Sequence, residues 1–115
     1  MEIWNRSTGV RLAWRVERAE TFWTRLRGWM GRQDVQEGAA LVIRPCNSIH
    51  TFFMKQPIDV AFVDGDERIV GMLHRVEPGK VSRIFKGAAA VIELPAGTLA
   101  GTGTQCADEL EVRGC

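Results

Sequence analysis

Ile58-Asp-Val-Ala-Phe-Val63, Asp64-Gly-Asp-Glu67 and Arg68-Ile-Val-Gly-Met-Leu73 form the stretch that decides the fold class. Two apolar, β-branched runs flank a turn that opens Asp-Gly, and Asp-Gly between such runs is a strong short-range hairpin signal. Asp66 and Glu67 lengthen the turn. Alternation along the first run sets Asp59 on the face of Ala61 and Val63, opposite Val60 and Phe62. If Val60 and Phe62 face the core, Asp59 points outward or into the mouth of a site.

Working outward, Ala40-Leu-Val-Ile43 reads as a short buried strand ended by Arg44-Pro45. Downstream, Pro78-Gly79 marks a turn, and Ala88-Ala-Ala-Val-Ile-Glu-Leu94 reads as another central strand closed by Pro95-Ala-Gly97. Residues 98–104 read as a glycine-spaced loop or one helical turn, and Leu110-Glu-Val112 as a closing strand. At the other end Val10, Leu12, Trp14 and Val16 alternate with Arg11, Arg15 and Glu17, the period of a strand with one buried face. Glu2-Ile-Trp4 can partner it across the turn Arg6-Ser-Thr-Gly9. The period then changes: Phe22, Trp23, Leu26, Trp29 and Met30 make one stripe of an amphipathic helix over 21–31. Thr21 is its expected N-cap and Gly31 its expected terminator, with Gly28 inside it allowing close packing. This stripe is expected to be core, and with it most of the four tryptophans. Short strands with one early helix predict a mainly β (α+β) fold: a small sandwich or barrel-like sheet with the helix over one opening.

At 115 residues the chain reads as one domain, 1–115, long enough to bury a core without staples. With 45% apolar and 25% charged residues, the composition is globular. No apolar run approaches the ~20 residues of a membrane span, and Met1–Arg6 lacks the layout of a signal peptide. A net charge of +1 argues against a strong pull on nucleic acid or anionic lipid, so neither nucleic acid nor membrane is expected as a partner. Three cysteines, at 46, 106 and 115, with no Cys-x-x-Cys pair, fit free thiols and a cytoplasmic location.

Three segments carry a family resemblance. They are Thr21 with Arg27-Gly-Trp-Met-Gly-Arg32; His50-Thr-Phe-Phe-Met-Lys55 with Pro57-Ile-Asp-Val-Ala-Phe-Val-Asp64; and Val91-Ile-Glu-Leu-Pro-Ala-Gly97. Together, over about residues 10–112, they resemble the bacterial and archaeal family catalogued as domain of unknown function 192. The resemblance implies a small jelly-roll-like β fold with the helix before the main sheet, and it implies no established activity. The chain departs from the pattern where Gln56 alone separates Lys55 from Pro57, in place of a longer insert. It departs again where Cys106-Ala-Asp108 replaces a Gly-Asp turn.

The densest polar constellation is Arg44-Pro-Cys-Asn-Ser-Ile-His-Thr51, with Met54, Lys55 and Asp59 close behind. Folded into one site, Arg44 or Lys55 suits an anionic group and Asn47, Ser48, His50 and Thr51 supply hydrogen bonds, with Met54 among the ligand-binding residues. Small-ligand binding, as a binding or accessory domain, is the leading reading. A thiol-dependent enzyme is the second: Cys46 as nucleophile, His50 as base and Asp59 or Asn47 orienting the imidazole. Otherwise Cys46 is a small buried hydrophobe and His50 bonds a backbone carbonyl. A protein-interaction module using an exposed tryptophan is the third. No cofactor or metal is expected, since Cys46 and His50 lack paired ligands at close spacing and 97–104 has no P-loop lysine.

Overall fold

A computed structural model describes residues 1–32 and 35–114, and the backbone alone of Phe22. The strands are β1 (Glu2–Asn5), β2 (Val10–Ala13), β3 (Arg15–Ala19), β4 (Ala39–Ile43), β5 (Ile58–Val63), β6 (Ile69–Val76), β7 (Ala90–Pro95) and β8 (Leu110–Arg113). Helix α1 (Phe22–Arg27) follows β3, and α2 (Thr98–Gly101) follows β7. They build a three-stranded sheet, β2-β1-β8, and a five-stranded sheet, β3-β4-β7-β5-β6. Pairing is antiparallel except between β3 and β4. The mainly β expectation holds.

The decisive hairpin is β5–β6. The Asp64 carboxylate accepts the N–H groups of Asp66 (2.8 Å) and Arg68 (3.0 Å), which is why an aspartate opens the turn. Every residue of β5 is buried, because the five-stranded sheet is covered on both faces. Ala61 and Val63 pack with Ile3, Leu12, Leu99 and Leu110, against the small sheet and α2. Val60 and Phe62 pack with Trp29, Ile49, Met54 and Phe85 on the opposite side.

Two expectations need correction. The run from Val10 to Val16 is not one strand. At Trp14 the chain leaves the small sheet for the large one, and the N–H groups of Trp14 and Arg15 both donate to the Gly38 carbonyl, at 2.9 and 2.8 Å. Gly38 has φ +90°, and a Cβ on it would stand 2.2 Å from the Trp14 ring, so the crossing needs glycine twice over. Nor does the helix reach residue 31. Thr21 caps it as expected, its hydroxyl accepting the Thr24 N–H while the Thr24 hydroxyl accepts that of Thr21. Gly28, at φ +49°, then ends it, three residues before Gly31. With the helical period broken there, the apolar stripe does not stay on one face. Trp29 is buried, but Trp23 is 74% and Leu26 48% exposed. Trp14 is exposed too, so the tryptophans are not jointly core. The Phe22 side chain, Cys115 and any Cys106–Cys115 bond lie outside the described residues.

Candidate functional site

On the α1 side of the five-stranded sheet lies a cleft of about 430 Å³. The end of α1 and the residues after it form one wall (Arg25 to Met30), and segment 45–54 forms the other, with Val81 at the rim. Ile43 of β4 and Glu93 of β7 contribute from the sheet.

Glu93 is the residue that motif reasoning passed over. It pairs in register with Leu41 on one side and Val60 on the other, so its side chain rises among apolar neighbours. It is 2% exposed. Desolvation raises its pKa to about 7, against a partial offset from the Trp29 backbone N–H that it accepts. Its Oε1 has no hydrogen-bond partner. The signal was present: a lone carboxylate inside Ala88–Leu94 occupies a strand whose other residues demand burial, where charged groups rarely stand.

Arg25 faces the same cleft. One guanidinium nitrogen donates to the Pro45 carbonyl at 2.9 Å, while its Nε is buried without a partner. Cys46 sits within electrostatic range of both Arg25 and Glu93. Burial above all, with the Glu93 charge adding, pushes its thiol up, and the thiol donates to the Ser48 carbonyl at 3.0 Å. His50 contributes its ring. Nε2 lies 3.1 Å from the Leu26 carbonyl and Nδ1 accepts the Phe52 N–H at 3.2 Å. Given those contacts, Nε2 carries the proton, and the ring ties the 44–57 loop to the end of α1. It stacks on Phe52 with centroids 5.5 Å apart.

The structure therefore divides the residues expected from sequence. Cys46, Ser48, His50 and Met54 line the cleft. Arg44, Asn47 and Lys55 are exposed beside it. Thr51 is fully buried; its hydroxyl donates to the Glu77 carbonyl at 2.7 Å and accepts the Lys80 N–H at 2.8 Å, which pins segment 77–80 to the loop. Asp59 is on the other face of β5. Its carboxylate accepts the N–H groups of Arg75 (2.9 Å), Gly97 (3.0 Å) and Leu99 (2.9 Å), tying β6 and the start of α2 to β5. It neither lines the cleft nor bonds His50, and the outward orientation expected for it does not occur, because the small sheet and α2 cover that face. Cys46, His50 and Asp59 do not converge. Among the described residues no group of three or more His, Cys, Asp or Glu is placed to hold a metal ion.

A three-stranded sheet on a five-stranded one, with a ligand-sized cleft under a short helix, defines a small mainly β protein. The chain belongs to the DUF192 family, described as an uncharacterized ACR, whose model matches residues 3–112. A UPF0127 protein of Thermococcus sibiricus is 33% identical over 111 residues, covering 93% of this chain and 71% of that relative. Among solved structures, a protein of unknown function from Novosphingobium aromaticivorans superposes with a TM-score of 0.84 at 21% identity, over 96% of this chain and 82% of that one. A putative transcription regulator from Sinorhizobium meliloti superposes at 0.79 and 24% identity, over 96% and 89%. At these identities the two structures establish the shared fold alone.

Proposed function

We propose that this protein binds a small molecule in the cleft between α1 and segment 45–54, with Glu93 and Arg25 as its polar anchors. One observation carries the reading. Among the described residues, the buried side-chain polar atoms without a hydrogen-bond partner are Arg25 Nε and Glu93 Oε1, and both residues line this cleft. Leaving such atoms unmatched costs about 1–3 kcal/mol each, more for charged groups, and a ligand that satisfies both recovers it. The complementary ligand has an acceptor for the guanidinium, a donor for the carboxyl group, and an apolar body against Leu26, Met30, Ile49 and Phe52. A carboxamide or an undissociated carboxylic acid on a short hydrocarbon has that form. The volume, about 430 Å³, is within the range of small-molecule sites.

Binding is favoured over thiol chemistry by the state of Cys46. A nucleophilic cysteine needs a depressed pKa and a nearby base, whereas this thiol is pushed up and both nitrogens of His50 face backbone groups. The test is a titration of isotope-labelled protein with hexanamide and with methyl pentanoate, which keeps the acceptor and lacks the donor. The expected result is shifts at Trp29, Cys46 and Ser48 with the amide, weaker shifts with the ester, and loss of that preference in Glu93→Leu, which removes the acceptor. Equal shifts with both probes, or none at these residues, would overturn the reading.

A further inference from the structure

The three segments around the cleft, 21–31, 44–55 and 77–86, carry a charge unlike the rest of the chain. They hold seven Lys or Arg and one acidic residue, Glu77, leaving eight basic and thirteen acidic residues elsewhere. They are bound side by side. His50 bridges to Val81, the Thr51 N–H donates to the Lys80 carbonyl at 2.8 Å, and the Phe85 N–H to that of Asn47 at 2.8 Å. His50 meets the Leu26 carbonyl, and the Gly31 N–H donates to the Phe53 carbonyl at 2.8 Å, which joins α1 to the same face. Among the described residues none of the seven cations is ion-paired, whereas Arg6, Arg11, Arg68 and Arg113 on the other segments each meet a carboxylate. The same segments expose Trp23, Leu26, Phe52, Phe53, Val81 and Ile84, with Phe53 at 76%.

We propose that this face docks on an anionic lipid surface, its apolar groups entering the headgroup boundary and its cations meeting the headgroups. Unpaired Lys and Arg around exposed Trp and Phe are the composition of an interfacial anchor. The aliphatic members select lipid over single-stranded nucleic acid. Leu26, Val81 and Ile84 offer no ring for a base to stack on, whereas an acyl boundary accepts any apolar side chain. Near-neutral net charge conceals the face because the opposite charge lies on the other segments. Docking requires neither Glu93 nor an occupied cleft, so it stands or falls apart from the ligand reading.

The test is co-sedimentation of the full chain with vesicles of phosphatidylcholine alone and of phosphatidylcholine mixed with phosphatidylglycerol, with Trp emission recorded in parallel. Expected are binding to the mixed vesicles only, a blue shift of emission that disappears in Trp23→Ser, and weakening by added salt. Lys80→Glu and Arg83→Glu should each weaken binding at least about five-fold, the effect expected from losing one cation at such a surface. Arg113→Glu, an equal charge change on β8, should leave it intact, as should Glu93→Gln. These positions are exposed, apart from Glu93, and circular dichroism confirms folding. No binding to mixed vesicles, equal loss in Arg113→Glu, or binding of a single-stranded oligonucleotide without binding of vesicles would overturn the proposal.

Discussion

A Cβ placed on Gly28 would stand 3.4 Å from Oε1 of Glu93. The residue that ends α1 thus lies within ordinary van der Waals reach of the buried carboxyl group. Gly28 adopts φ +49° and ψ −133°, a region closed to L side chains, so it is the backbone that demands glycine here.

Gly28→Ala is therefore expected to lower stability by about 2 kcal/mol, from the backbone strain alone. Gly31→Ala meets positive φ but open space and should cost less, about 1 kcal/mol. Urea unfolding of the two variants gives the comparison; a costlier Gly31 would contradict the strain assigned to Gly28.

Glu93 should give stability a distinctive pH dependence. Its carboxyl group titrates near 4.5 when unfolded and about 7 when folded. Below 4.5 both states are protonated and it contributes no slope. Between those values the folded state keeps a proton that the unfolded chain releases, so stability falls as pH rises, by about 3 kcal/mol in all, and levels off above. Glu93→Gln should remove that component of the slope. Denaturant titrations from pH 4 to pH 8 test it, and an unchanged slope in the variant would assign the effect elsewhere.

Asp59→Ala strips the acceptor from three backbone N–H groups at once and is expected to cost about 3–5 kcal/mol. Asp59→Asn, which keeps one acceptor oxygen, should cost less. Neither should change the environment of Cys46, because Asp59 stands on the opposite face of β5. Thermal unfolding and Cys46 alkylation, measured together, separate this structural role from a catalytic one: an altered alkylation rate in folded Asp59→Asn would restore the catalytic reading.

The two described cysteines should differ in reactivity. Cys106 is exposed, whereas Cys46 is part-buried with its thiol pushed up by burial. Iodoacetamide at neutral pH is expected to label Cys106 first, with peptide mass mapping to locate the label. Fast labelling of Cys46 would favour the thiol-enzyme alternative.

What the sequence determined by itself was local. Alternation and turn chemistry placed β4, the β5–β6 hairpin, β7 and β8, because a strand's period and an Asp-Gly turn involve residues within one hydrogen-bonded unit. Thr21 was legible as a cap for the same reason. The helix was misread past Gly28 because a 3.6-residue stripe assumes continuous helix, and Trp29 reaches the core by a different path from Trp23. The site was half legible. Cys46, Ser48, His50 and Met54 lie close together in the chain and in the cleft, while Thr51 and Asp59 went to backbone amides and carbonyls that no neighbouring residue reveals. Only the tertiary structure could bring Arg25 to Glu93 across 68 positions, or cover the second face of β5 and so turn Asp59 inward. Burial is a property of what packs from elsewhere, and it is burial that moves Glu93 toward neutrality and leaves its oxygen unmatched.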